Sequence, residues 1–475
     1  MGGLARAASV ISGMKRAGAP LIYLDLGDAA LPLDSSLGAN DLAIGRGKAA
    51  VVYEALALMG AVGQVPGELD LELDPAFLRG VARAAEVPIL AANLRAPDGG
   101  PLFEESVTVR AAGLKILVIG LFDPTLLPPA LAATGITATD PAAAAARVIE
   151  AAGPVDLVIA GAHLDEGVEA QLLAAVPRID LLVAAHGAAP MPGGRPGGNG
   201  VVARSAGKGR FLGRVDLLLP PTWRPGQRLQ NGAERKEAGA KWAEAKTELD
   251  RMTAELGDKS PLEAFADDPA RRFRFAELSS TASRAQETLD GFAGQSLFAT
   301  ALTPLGPEVG DDPAILAQVA AWKRGEVSRF RAAALAAPPP VEDAASPYAG
   351  AGACVSCHPL QVSQWQLSRH GLAFRTLVAK EAEFNPSCVG CHTTGFRLPG
   401  GFEDPAQVGS HVNVQCEQCH GPARTHTAED GPALEKTAGE ALCVGCHTPA
   451  NDDHWDHTVR LEAIRHWGKG FPSVR

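Results

Sequence analysis

The chain has 475 residues, of which 46% are hydrophobic and only 20% charged, so a disordered polymer is excluded and two or three domains are implied. A net charge of −11 argues against nucleic acid as a partner, because a phosphate backbone needs a basic face. No uncharged apolar run approaches the roughly 18 residues that a membrane helix needs.

In chain order, Leu21 to Leu26 reads as an apolar strand running into Gly27 and Asp28. Ala49 to Met59 reads as a helix, Pro88 to Ala92 as a second strand and Leu114 to Phe122 as a third. Ala142 to Ala152 is a helix, and Val155 to Ala160 a strand ending at Gly161-Ala162-His163. Asp180 to Ala184 is another strand, ending at Ala185-His186. Three strands thus deliver Asp28, His163 and His186 just past their carboxyl ends, where α/β sheets place their chemistry. An aspartate and two histidines converging there suit Zn, Mn or Fe. An aspartate turn with two incidental loop histidines gives the same pattern.

Gly2-Gly-Leu-Ala-Arg6, Leu24-Asp-Leu-Gly-Asp28, Ile89-Leu-Ala-Ala-Asn-Leu94, Gly161-Ala-His163, Asp180-Leu-Leu-Val-Ala-Ala-His186 and Gly207-Lys-Gly-Arg-Phe-Leu-Gly213 resemble the calcineurin-like metallophosphoesterase domain of bacterial 5′-nucleotidases. The resemblance implies an α/β fold over 1–222, a β-sandwich flanked by helices, in which two metals clamp a phosphate and generate the attacking hydroxide. On it, Asp28 matches the bridging aspartate, and His163 and His186 match ligands of the second metal. The departures sort by metal. The family's opening Asp-x-His and its Gly-Asn-His-Glu have no counterpart, and its paired Gly-His-x-His is reduced to His186-Gly187-Ala188. Every ligand peculiar to the first metal is therefore missing. Glu68 stands where an asparagine normally binds, and Leu69 falls near the family's catalytic histidine. What remains is either a one-metal site of Asp28, Glu68, His163 and His186 or a structural relic; two-metal hydrolysis is not expected.

From Trp223 the composition changes. Glu234 to Leu256 carries Trp242, Leu249, Met252 and Leu256 at helical spacing. Arg272 to Phe292 repeats the pattern with Phe273, Phe275, Leu278, Ala282, Ala285 and Leu289. A third helix opens at Asp311-Asp312-Pro313, an N-cap with proline in the first turn, and carries Ile315, Val319, Trp322 and Phe330. The expectation is an α-helical segment over 223–336, which packs on a domain or dimerises, then a Pro/Ala linker at 337–347 around Pro338-Pro-Pro340. Nothing resembles the nucleotide-binding domain that follows the metal domain in 5′-nucleotidases.

All eight cysteines lie in the remaining part, 348–475, as Cys354/Cys357, Cys388/Cys391, Cys416/Cys419 and Cys443/Cys446. Each pair is followed at once by a histidine: His358, His392, His420 and His447. C-x-x-C-H is the attachment signature of c-type haem: two thiols form thioethers and the adjacent imidazole becomes the proximal iron ligand. Zinc sites, redox pairs and disulfides are the competing readings. Zinc knuckles need no histidine after each pair, and redox pairs seldom come in fours. Four c-type haems on so short a segment would themselves form its core.

Trp365 with His370, Cys388 to Phe396, Val414 to Pro422 with His426, and Ile464-Arg-His466 resemble the tetrahaem cytochrome c family that carries electrons from hydroxylamine oxidation. The resemblance covers about 348–475 and implies a mostly α, loop-rich multihaem domain with His370, His426 and His466 as distal ligands. Three distal ligands leave one iron five-coordinate, as a small-molecule or redox site, unless His411 closes it. His454 and His457 are further candidates.

The first functional expectation is a periplasmic tetrahaem electron carrier whose front domain is a scaffold or docking platform. Over 348–475 there are 10 Lys+Arg against 13 Asp+Glu, which favours a redox partner with a basic face. The alternatives are a metal-dependent phosphoesterase with accessory haems, and a haem redox enzyme acting on nitrogen oxides or hydroxylamine. Haem is attached outside the bacterial cytoplasm, yet Met1 to Pro20 has no export-type apolar core. The coding start is therefore expected upstream, with a signal sequence.

Overall fold

The computed structural model describes residues 2–31, 39–186, 195–197, 200–204, 209–257, 259–336, 346–403, 411–428, 431–435, 439–447, 452 and 455–466. The chain divides into two compact units: Met1–Leu31 with Ala49–Leu316, and Pro32–Lys48 with Ala317–Arg475.

The first unit is built on a six-stranded sheet whose order is 106–111, 114–122, 157–163, 181–185, 200–204, 195–197. The hairpin Ser106–Ala111/Leu114–Phe122 turns at Ala112 and Gly113, both with positive φ, as a two-residue hairpin loop requires. Strands 114–122, 157–163, 181–185 and 200–204 run parallel, and Leu157–His163 is buried at every residue. Side-chain alternation sorts them onto two faces. Leu117, Ile119, Leu121, Val158, Ala160, Ala162 and Leu182 meet helices Pro141–Ala152 and Glu166–Ala175. Ile116, Val118, Leu157, Ile159, Leu181 and Val201 meet Val65, Trp223, Leu229 and Phe298. The second face is thus covered by a smaller sheet of 211–218, 297–304 and 230–231. This is an α/β sandwich flanked by helices.

Gly120 sits where the main sheet meets the extended segment 88–92, and a Cβ there would overlap the Leu90 carbonyl. Gly120→Ala should destabilise this unit by about 3 kcal/mol, read as a lowered thermal midpoint, since the clash is with backbone.

Two sequence expectations are corrected. Pro88 to Ala92 is extended but forms no ladder: Leu90 N donates to Gln64 O, Ala91 N to Glu104 O and Ala92 N to Gly120 O, so its bonds are divided among three segments. The run of three helices is also interrupted. Helices Ala233–Leu256 and Pro269–Gly291 pack through Ala245, Met252, Leu256 and Leu278, but strand Leu297–Pro304 follows them and pairs antiparallel with Phe211–Leu218. The helical hairpin is therefore an excursion from the smaller sheet. The third helix, Pro313–Ala336, opens as expected, with Asp312 Oδ1 accepting from the N–H groups of Ala314 and Ile315. The front segment, to which the sequence reading assigned no element, is a helix, Gly2–Arg16, with Ala5, Ala8 and Ile11 buried.

In the second unit, short helices Pro359–Leu367, Ala373–Val378, Pro386–His392, Cys416–His420, Glu440–Cys443 and His457–Ile464 are joined by loops. Its apolar clusters are small: Phe374, Leu377, Val389 and Phe402 form one, and Ile44, Val327 and Phe384 another. The loops are knitted by buried polar groups. Glu417 accepts from the N–H groups of Ala349, Gly350 and Ala423, and Gln415 from Ala351. Among the described residues no helix is long and apolar enough to cross a membrane. The linker expected at 337–347 lies, as far as residue 345, outside the described residues, as does His454.

Candidate functional site

The four C-x-x-C-H motifs lie at or beside these short helices. Among the described residues no cysteine is in a disulfide, and no three Cys, His or carboxylate ligand atoms of this unit gather within 4.8 Å. Burial pushes the Cys354 thiol up to about 12, with Cys416 adding to the effect, and raises Cys388, Cys416, Cys419 and Cys443 as well. Cys446 is raised by its hydrogen bond with Cys391 and by burial. The same contacts bring the first motif against the third and the second against the fourth.

Cys357 stands apart from the other motif thiols. It is exposed, whereas the other seven cysteines are partly buried. The reason is local: the 3₁₀ turn Ala351–Cys354 and helix Pro359–Leu367 flank it with small and polar residues, and its Sγ meets Ser356 Oγ at 3.7 Å.

Three motif histidines face a second imidazole. The ring centres of His358 and His426 are 6.3 Å apart at 23°, those of His420 and His466 6.0 Å at 21°, and those of His447 and His370 6.3 Å at 53°. Two metal–imidazole bonds of about 2 Å each, added to the ring radii, give a spacing of about 6 Å, so each gap fits one iron. Burial lowers the pKa of His370, helped by His447 and His392, and that of His466, helped by His420 and His358. Both are thus kept as the neutral imidazoles a metal takes.

No imidazole among the described residues stands opposite His392. The His411 ring lies 5.5 Å from that of Tyr348, and that of His457 6.3 Å from that of Trp455. The outer nitrogens of three motif histidines are also held: His392 Nδ1 lies 2.7 Å from Ala373 O, His420 Nδ1 2.6 Å from Glu435 O, and His447 Nδ1 2.9 Å from Asp452 Oδ2. A cavity of about 610 Å³ beside the first motif is lined by Ala349 to Ala353, Trp365, Arg424 and Thr427.

The second cluster is in the first unit, at the carboxyl ends of the parallel strands. His163 ends strand 157–163, and His186 follows strand 181–185 with φ 62°, as Asp28 follows strand 23–25 with φ 55°. Left-handed backbone at non-glycine residues is held by its surroundings. Asp28 Oδ1 accepts from Leu69 N at 3.0 Å and Asp70 N at 3.3 Å, while Asp28 N donates to Asp70 Oδ2 at 2.8 Å. Gly67 allows this approach, because a Cβ there would overlap the Asp28 carboxylate. His186 is fixed by Arg204, which donates to its carbonyl at 2.6 Å and is anchored on buried Glu169 at 2.7 Å.

Ligand atoms of Glu68, His163 and His186 all lie within 4.8 Å of one another, and Asp28 Oδ2 is 3.4 Å from His163 Nε2. Glu68 Oε2 lies 2.6 Å from His163 Nε2, yet neither buried atom has an aligned hydrogen-bond partner. Two imidazoles with two carboxylates at this spacing are a donor set that suits Zn, Mn or Fe. His163 Nδ1 is 3.4 Å from Leu26 O and His186 Nε2 is 3.2 Å from Asp165 Oδ1, outer contacts of the kind that orient metal ligands.

Burial pushes the Asp28 carboxyl up to about 6, with Glu68 raising it and His163 opposing. Asp70 is pushed up to about 7 by burial and by Asp28. Burial would raise Glu68, but the His163 imidazole brings it below its usual range. Burial would lower His163, but Glu68 and Asp28 hold it above. Sequence reading singled out Asp28, Glu68, His163 and His186, which the fold brings together. It missed Asp70, Asp165 and Arg204; Asp165, two residues past His163, is the one its spacing could have flagged.

Residues 353–421 match the family described as cytochrome c554 and c-prime, and residues 410–452 match the doubled CXXCH motif. Cytochrome c-554 of Nitrosomonas europaea is 33% identical over 148 residues, covering 27% of this chain and 63% of that protein, so the chain spans less than two thirds of this relative's length. Structural neighbours include a 5′-nucleotidase precursor from Thermus thermophilus, with TM-score 0.43 and 13% identity over 68% of this chain and 53% of that one. Another is a calcineurin-like phosphoesterase from Bacillus subtilis, with TM-score 0.44 and 14% identity over 68% and 88%. The C-terminal part of the chain is a multihaem cytochrome c region of the cytochrome c554 and paired CXXCH types, joined to a mixed α/β unit with phosphoesterase-like neighbours.

Proposed function

We propose that this protein is an exported, periplasmic electron-transfer protein carrying four c-type haems, with a front unit that holds one divalent metal and has lost two-metal hydrolysis. The observation that carries the haem reading is the three imidazole pairs spaced for one iron each. Bound haem supplies one-electron exchange between Fe(III) and Fe(II). The chain's own residues would anchor it through the eight cysteines, and the pairs His358/His426, His420/His466 and His447/His370 would hold the iron. Exposed Val355, Leu367, Leu372 and Val444 are apolar surface that porphyrins would cover, and exposed Cys357 lies beside the first of these. The acidic balance of 348–475 favours a partner with a basic face.

Pyridine haemochrome on purified protein should give four haems per chain; a ratio below four would sink the reading. Electron paramagnetic resonance should show two low-spin classes. Nearly parallel rings at His358/His426 and His420/His466 split the iron π-orbitals strongly, and the 53° pair at His447/His370 splits them less.

His392, with no imidazole opposite it among the described residues, favours a second reading in which one iron is five-coordinate and acts on a small nitrogen oxide or hydroxylamine. A high-spin ferric band that shifts with nitric oxide supports it, and a wholly low-spin spectrum removes it.

A further inference from the structure

The outer nitrogens of the motif histidines do not share one kind of partner. His392 and His420 face the neutral carbonyls of Ala373 and Glu435, but His447 faces a carboxylate, with Asp452 Oδ2 at 2.9 Å from its Nδ1. The other oxygen of Asp452 is 3.4 Å from Arg460 Nη2, so the carboxylate is fixed from both sides. The Trp455 ring stacks on His447 at 4.4 Å and 23°, which keeps water from that face of the imidazole and strengthens the local field.

We propose that Asp452 is a positioning residue that sets the reduction potential at the fourth motif, holding it below those at the second and third. This rests on the reading of the C-terminal region as haem-bearing. A hydrogen bond to an anion is roughly twice as strong as one to a neutral acceptor, so Asp452 draws the Nδ1 proton and leaves Nε2 electron-rich. An electron-rich axial ligand stabilises Fe(III) over Fe(II). The step is Fe(III) plus one electron giving Fe(II), with the proton remaining between His447 Nδ1 and Asp452. An electron placed at the fourth motif then runs downhill to the second and third, which makes this the end that a reducing partner must reach with the stronger donor.

The test is a spectroelectrochemical titration of the full-length holoprotein with dithionite as reductant. Asp452→Asn should make one of the one-electron steps about tenfold more favourable, an upward shift of about 59 mV, and leave the others in place. The haem that moves should be the one with the resonance signature of the 53° imidazole pair. Asp452→Glu should keep the low potential. Arg460→Gln, which removes the countercharge and serves even if Asp452→Asn does not mature, should move the same step downward. Unmoved potentials in Asp452→Asn, or in Arg460→Gln where that is the variant obtained, would overturn the proposal. A wild-type haem count below four would instead defeat the underlying reading.

Discussion

Replacing His426 by alanine is expected to convert one haem from six- to five-coordinate, seen as a new high-spin ferric band with the remaining spectrum unchanged. The His426 ring stands 6.3 Å from that of His358 and nearly parallel to it, and its Nδ1 lies 2.8 Å from Pro432 O, so its Nε2 is aimed into the gap. Alanine leaves no donor there. His466→Ala and His370→Ala should do the same at the third and fourth motifs, each at a different haem. His411→Ala is the control: its ring lies against Tyr348 rather than opposite a motif histidine, so the spectrum should not change. An unaltered low-spin spectrum in His426→Ala would refute the pairing.

The front unit should bind one Zn²⁺, Mn²⁺ or Fe²⁺ per chain, and His163→Ala should weaken that binding by more than about 100-fold, measured by calorimetry on metal-stripped protein. The pH dependence follows from the raised carboxyls. Asp28 at about 6 and Asp70 at about 7 lie above their ordinary value of 3.8, so without metal they contribute stability below about pH 4 that is lost as pH rises through 6 and 7. A cation displaces the proton of Asp28, so affinity should rise over the same window, with proton release. The increase in thermal midpoint on adding metal should therefore be larger at pH 8 than at pH 5. A chromogenic phosphate ester with Mn²⁺ or Zn²⁺ should not be turned over, because Leu69 offers the cluster only its backbone N–H. Clear metal-dependent turnover would restore the hydrolase reading.

These two sites differed in how far the sequence disclosed them, and the reason is the range of the interactions. C-x-x-C-H is legible because its chemistry is covalent and confined to five residues. Which histidine faces which was not: His370 follows the first motif closely in the chain but stands opposite His447 of the fourth, a consequence of tertiary packing. The exposure of Cys357 was equally hidden, since the motif names the thiol and not the side it faces. At the front cluster, strand ends marked Asp28, His163 and His186, since apolar runs ending in a polar residue are a local signal. Asp70 and Arg204 work through backbone groups of distant residues and carry no pattern of their own. Strand 297–304 was missed for a similar reason. Its Ala and Thr alternation is weak beside two strongly helical neighbours, and only pairing with 211–218 makes it a strand.

That strand has a consequence for biosynthesis. Until residue 304 emerges from the ribosome, strand 211–218 lacks the partner it bonds along its whole length, at elongation rates of about 5–20 residues per second. During those seconds the nascent chain exposes an open edge, the feature most prone to pair with the wrong molecule. The intervening helices, rich in short-range contacts, can close first and bring the two ends together. A variant that weakens only that hairpin should therefore show its damage in folding yield before it shows in the stability of the finished protein.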